Sequence, residues 1–102
     1  MPVFDTGGLS IFYNDEGQGE PLLLIHGFPL SSEMWDPQRA ALMHRFRVIT
    51  PDLRGMGKSD VPTGGYSMEA YADDLIALLD HLGISQVTVG GMSMGGYITF
   101  AL

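Results

Sequence analysis

The chain contains no cysteine, which excludes disulfides and thiolate metal sites and leaves the redox compartment open. It is also poor in positive charge: five Lys and Arg stand against twelve Asp and Glu, for a formal net charge of −7. Those five do not cluster, so there is no electrostatic footprint for nucleic acid or for an anionic membrane surface. The acidity reads as solubility. No apolar run approaches the roughly eighteen residues that a membrane span requires. The first residues, Met1-Pro2-Val3-Phe4-Asp5, lack the basic region and apolar stretch of a secretory signal. A cytoplasmic protein, partnered by neither nucleic acid nor membrane, is the expectation. No repeat, low-complexity tract or linker divides the 102 residues, so residues 1–102 are expected to lie in one small domain.

What is present is 45% hydrophobic residues and fourteen glycines, a globular composition with marked turns. Gly8 to Asp15 is a short β-type run followed by the turn cluster "DEGQGEP". With an extended piece near Val3-Phe4 it predicts an antiparallel hairpin. Pro21 to His26, "PLLLIH", is continuously apolar, as in a strand buried on both faces. Asp36-Pro37 reads as a helix start with Asp36 as N-cap, and Leu42 and Met43 follow on its inner side. Arg47 to Asp52 is a second β-branched strand, with glycines and prolines marking the loop beyond it. Ser67 is placed to cap a helix in which Tyr71, Leu75, Leu78 and Leu82 recur at helical spacing. Gly83 then stands where a left-handed C-terminal cap belongs. "VTVGG" is the next strand, and Tyr97 to Leu102 begins another helix. The order hairpin, β, α, β, α, β, α implies an α/β fold: a mostly parallel sheet with helices on both faces.

Gly91-Met92-Ser93-Met94-Gly95 matches G-x-S-x-G between a strand and a helix. A sharp strand-to-helix turn strains the serine backbone, and side chains two positions to either side would strike neighbouring backbone. Glycine relieves both collisions. The hydroxyl then projects above the sheet, and the Met94 N–H is aimed at the same spot, where it can hold an oxyanion. The plainer alternative is a Gly-rich loop in which Ser93 only caps a helix. His26-Gly27-Phe28-Pro29, directly after the buried strand, offers the Phe28 N–H as a second oxyanion donor. His26 is expected to pin this loop, not to move protons.

Two other glycine patterns fail on spacing. Gly55-Met56-Gly57-Lys58-Ser59 resembles the tail of a phosphate-binding loop, but the position needing the first glycine is Asp52, and no helix follows at once. Gly90, Gly91, Gly95 and Gly96 lack the G-x-G-x-x-G spacing of a dinucleotide site. No cofactor and no metal is therefore expected.

Together, "PLLLIHGFP", "VITPDLRGMGKSD" and "SMEAYADDLIALLDHLGISQVTVGGMSMGGYITFAL" resemble the α/β-hydrolase fold family, from its early strands to its nucleophile elbow and the start of the helix behind it. The resemblance implies acyl transfer. Ser93 would attack a carbonyl, with the Phe28 and Met94 amides holding the oxyanion. His26, Gly27, Asp52, Gly91 and Gly95 would have structural roles. Serine at the elbow, where haloalkane dehalogenases and epoxide hydrolases place aspartate, points to small-ester or lactone hydrolases, cofactor-free perhydrolases or carbon–carbon bond hydrolases. The family order is nucleophile, acid, histidine, which puts the last two beyond Leu102 and makes this sequence an N-terminal fragment by expectation. The family's strand order would place the "VTVGG" strand centrally, flanked by strands that this chain lacks, so a bare strand edge is expected there. Association with a second copy, or with a missing C-terminal half, is the corresponding partner expectation. A non-catalytic module that self-associates is the alternative to an esterase.

Overall fold

Antiparallel pairing at the start of the chain and parallel pairing after it build one five-stranded sheet in the computed structural model, which describes residues 2–102. Strands β1 (Val3–Thr6) and β2 (Leu9–Glu16) form the expected hairpin around Gly7-Gly8. Both glycines have positive φ, 56° and 84°, the backbone that a two-residue hairpin turn demands. Strand β3 (Glu20–Ile25) carries the continuous apolar run, and Leu23, Leu24 and Ile25 are buried. Strand β4 (Phe46–Pro51) lies parallel to it, with Leu22 opposite Val48 and Leu23 opposite Ile49. Strand β5 (Thr88–Gly91) pairs parallel with the other side of β3, bringing Ile25 opposite Gly91. The sheet order is β1-β2-β4-β3-β5. β5 is thus an edge strand.

From β3 the chain steps one way to reach β4, then back across β3 to reach β5. Right-handed crossovers therefore send the two connecting helices to opposite faces. Helix α1 (Asp36–Leu42) packs on β4, whereas α2 (Met68–His81) packs against α3 (Met94–Ala101) and β1. Tyr71, Ala72, Leu75 and Leu78 of α2 enter the core with Phe4, Ile11, Leu23, Ile25, Ile49 and Ile98. A fully buried leucine contributes roughly 1.5–3 kcal/mol relative to exposure, so the two α2 leucines fix this helix to the sheet. Among the described residues no helix is long and apolar enough to cross a membrane.

Helix ends follow the sequence in one case and depart from it in two. The Ser67 hydroxyl accepts from the Ala70 N–H at 3.0 Å, and Gly83 closes α2 with φ 72°. Asp36 is not an N-cap: it is the first residue of α1, behind Trp35, with no side-chain cap. A 3₁₀ turn over Ser32–Trp35 precedes the helix, and Ser31 caps that turn by accepting from the Glu33 N–H at 3.3 Å. The capping serine thus acts five residues earlier than the aspartate suggested. Leu42 and Met43 are only half-buried, and α1 contributes no fully buried side chain. Helix α3 starts at Met94, three residues before Tyr97, because the turn feeding it is tight enough to hand over directly from strand to helix.

Candidate active site

The turn between β5 and α3 is held by steric exclusion. Ser93 has φ 55° and ψ −112°, the one positive-φ non-glycine among the described residues. That conformation costs of order 1–3 kcal/mol and persists only where its surroundings impose it. The surroundings are visible. A Cβ on Gly91 would overlap the Gly95 carbonyl, and a Cβ on Gly95 would overlap the Ile25 carbonyl and press on that of His26. Both glycines of the motif therefore let backbone meet backbone, as the spacing predicts. The Met92 N–H donates to the Ile25 carbonyl at 3.1 Å, tying the bend to the end of β3.

Ser93 makes no capping hydrogen bond with its hydroxyl, and its side chain is exposed. The helix-cap explanation of this serine is thereby removed. The Gly95 amide donates to the Met92 carbonyl and the Gly96 amide to that of Ser93, each at 2.9 Å, so these two amides of the first turn of α3 are satisfied by backbone. Within the described residues the amide of Met94 donates to no protein acceptor.

The loop after β3 lies against this bend. A Cβ on Gly27 would sit 3.1 Å from the Met92 carbonyl oxygen and 3.5 Å from Ser93 Cβ. Gly27 is thus a close-approach glycine, and its successor Phe28 follows at the rim with its ring 67% exposed. The Phe28 amide also donates to no protein acceptor within the described residues. Each of the two loops that meet here therefore holds one N–H group without a protein acceptor.

His26 organises the loop from below. It is fully buried; Nε2 accepts from the Leu53 N–H at 2.9 Å, and Nδ1 lies 2.9 Å from the Gly27 carbonyl. Because Nε2 accepts, Nδ1 carries the proton and donates to Gly27. The same carbonyl receives the Leu30 N–H at 2.9 Å. Burial holds the imidazole below the ordinary histidine range, against the Gly27 hydrogen bond and the Asp52 charge, which favour its protonated form. With both nitrogens engaged, His26 is a neutral strut between the loops after β3 and β4.

Asp52 is the second strut. Its buried carboxylate accepts the Ser32 N–H at 2.7 Å and the Lys58 N–H at 2.9 Å. Gly57 has φ 55° and is packed so tightly on this carboxylate that a Cβ would overlap it. The loop over residues 52–60 is therefore wound around Asp52. Ser59 and Asp60 fasten it to β2 through the Phe12 and Ser10 amides, at 2.9 and 2.8 Å.

Sequence patterning did not reveal the pairing of Arg54 with Asp74. The guanidinium meets the carboxylate in two bonds of 2.7 and 2.6 Å and also donates to the Gly65 carbonyl at 3.0 Å. Only the position of Asp74 on the inner stripe of α2, beside Tyr71 and Leu75, signalled it. Of the two methionines that flank Ser93, Met94 packs on the core and Met92 is exposed. Met34 lines an open groove of about 510 Å³ with Pro29, Leu30 and Gly57. Trp35 is half-buried, its indole nitrogen buried without a partner.

Neither other histidine stands near this rim. His44 is exposed two residues before β4, whose far end carries Asp52. His81 stacks on Phe4 of β1, with ring centroids 5.7 Å apart, and β1 is at the opposite edge of the sheet from β5. Among the described residues no group of three His, Cys, Asp or Glu is placed to hold a metal ion.

Comparison with known proteins bears on the family and the fold. The family model described as "alpha/beta hydrolase fold" matches residues 20–102. A non-heme haloperoxidase of Rhodococcus erythropolis is 46% identical over 98 residues, covering 94% of this chain and 36% of that protein. A thermophilic esterase from Thermogutta terrifontis superposes with a TM-score of 0.90 at 50% identity, over 97% of this chain and 37% of its own. Est816, described as an N-acyl homoserine lactone degrading enzyme, gives a TM-score of 0.97 at 36% identity, covering 99% and 39% respectively. The chain spans about a third of the length of the curated relatives it matches.

Proposed function

Since the chain belongs to the α/β-hydrolase fold family, we propose that it carries the nucleophile and oxyanion hole of a serine hydrolase acting on carboxylic esters or lactones. The observation that carries this reading is Ser93 itself: strained at φ 55°, enforced by Gly91 and Gly95, and unused as a cap. Strain maintained around an exposed hydroxyl is the signature of a group positioned for chemistry. Ser93 Oγ attacks the carbonyl carbon and its proton passes to a base. The Phe28 and Met94 amides hold the oxyanion, and the alcohol leaves with a proton to give an acyl-enzyme. Water then cleaves the acyl-enzyme to acid and free serine. The esterase and lactone descriptions of two structural neighbours support this substrate class.

The base is not one of the three histidines here, because His26 is locked and the other two stand elsewhere. The second reading is a non-catalytic module of the same fold. A fluorophosphonate probe separates the two. The hydrolase reading expects covalent labelling at Ser93 and slow p-nitrophenyl acetate turnover, both lost in Ser93→Ala. In known triads the oxyanion hole and binding alone retain about 10³–10⁴-fold over water. Turnover that persists unchanged in Ser93→Ala removes Ser93 from the chemistry, and a protein that is never labelled supports the module.

A further inference from the structure

The Phe28 N–H and the Gly27 carbonyl belong to one peptide unit. That unit is trans and planar, so its carbonyl and its N–H point in opposite directions. Whatever fixes the one aims the other. The Gly27 carbonyl is fixed twice, accepting from His26 Nδ1 and from the Leu30 N–H, each at 2.9 Å. Of these donors the imidazole is fully buried and itself held, because Nε2 accepts the Leu53 N–H at 2.9 Å. One line of donors therefore runs a single way: Leu53 amide to imidazole, imidazole to the Gly27 carbonyl, and at its end the Phe28 N–H, which has no protein acceptor within the described residues. Hydrogen bonds in such a line polarise one another, so a carbonyl that accepts strengthens the donor on its own peptide. The plane also stands where a small rotation matters: a Cβ on Gly27 would press on the Met92 carbonyl and meet Ser93 Cβ at 3.5 Å.

We propose that His26 is a positioning residue for the oxyanion hole: by donating from Nδ1 to the Gly27 carbonyl, it holds the Gly27–Phe28 peptide plane so that the Phe28 N–H is presented to the oxyanion formed on Ser93. The assignment rests on the serine-hydrolase reading and gives the buried imidazole a part in chemistry that it does not touch. Its proton stays on Nδ1 throughout, and no bond to the ring forms or breaks. Asp52 secures the far end of the same loop through the Ser32 N–H at 2.7 Å. The segment from Gly27 to Ser31 is thus gripped at both ends, and the two anchors, Asp52 and Leu53, adjoin in the sequence. A role confined to stability needs only the bulk of the imidazole and its bond to Leu53. Positioning needs the other nitrogen. Two side chains separate these demands: asparagine can place a donor where Nδ1 stands but reaches no further, whereas glutamine reaches the place of Nε2 and leaves Gly27 without its donor.

The pair His26→Gln and His26→Asn tests this with two readouts. One is the rate at which a fluorophosphonate labels Ser93. The other is the nitrogen chemical shift of the Phe28 amide, which responds to hydrogen bonding at the carbonyl of its own peptide. His26→Gln should leave the Leu53 amide resonance in place, move that of Phe28, and slow labelling by about tenfold, less than the 10²–10³ lost when an oxyanion donor is removed outright. His26→Asn should do the reverse: the Leu53 resonance moves, that of Phe28 stays, and labelling remains close to the wild-type rate. Urea midpoints of both variants are measured beside the rates. Labelling that follows the midpoints instead of dividing Gln from Asn overturns the proposal, as does a Phe28 resonance unmoved in His26→Gln. Should a variant not fold, the imidazole nitrogen spectrum of the wild-type protein decides. An Nδ1–H tautomer is expected, and an Nε2–H tautomer, which cannot donate to Gly27, overturns the assignment. A wild-type protein that is never labelled removes the serine-hydrolase reading, while the aim of the peptide plane is still judged by the two amide resonances, so the two failures are told apart.

Discussion

At the scale of single residues, backbone collisions decide more than side-chain contacts. Gly95 faces the Ile25 and His26 carbonyls, which are backbone and cannot swing aside. Gly95→Ala is expected to cost about 2–3 kcal/mol, in the range of overpacked sites, measured as a lowered urea midpoint with unchanged slope. His26 gives a pH signature. Its folded-state pKa lies below the ordinary histidine value of about 6.5 because burial opposes the charge. The unfolded chain therefore takes up the proton first as pH falls. Stability from the neutral imidazole is fully present above about 6.5 and declines from there down to the folded pKa. His26→Ala should remove that decline and also strand the buried Leu53 amide, costing about 2–4 kcal/mol by the lost partner and the cavity. Equilibrium unfolding at pH 7.5 and 5.5 checks both. The G-x-S-x-G spacing made the seat of Ser93 legible because glycines at fixed offsets have a single steric meaning there. The two hydrogen bonds of His26 were not legible, since nothing local in the sequence says which amide a buried imidazole will meet.

Among elements, α2 is the best written. Ser67, the apolar stripe through Leu78 and Gly83 mark its two ends and its inner face, and each is found in place. Removal of the cap, Ser67→Ala, should cost about 1 kcal/mol in thermal or urea unfolding. The start of α1 was misleading for a physical reason: Asp36-Pro37 satisfies the local preference for a helix start, but Ser31 begins a 3₁₀ turn first and the aspartate falls inside the helical run. The Arg54–Asp74 pair shows the limit of periodicity. The stripe identifies a carboxylate on the buried face without naming its cation, which comes from a loop twenty positions away in sequence. Side-chain exposures of 15% and 5% place this pair among those where losing one partner is expensive. Arg54→Met should destabilise by about 3 kcal/mol, and restoring balance with Asp74→Leu in the same chain should recover much of it. A double-mutant cycle in urea reads that coupling.

For the molecule as a whole, the alternation of strands and helices was enough to fix the sheet's character, and two crossovers of one hand put α1 and α2 on opposite faces. What the alternation could not supply was the order of the strands, which depends on the neighbours each one finds and not on its own residues. The parallel register of β3 with β5 also bears on how the chain acquires its site. Ser93 and Gly27 stand side by side, yet α1, β4 and α2 all intervene in the sequence, and no short-range step can bring them together. Closing so long a loop is slow compared with coiling a helix. On refolding from denaturant, helical ellipticity should therefore recover ahead of reactivity at Ser93, so that the nascent chain holds its helices before it holds a seat for the nucleophile.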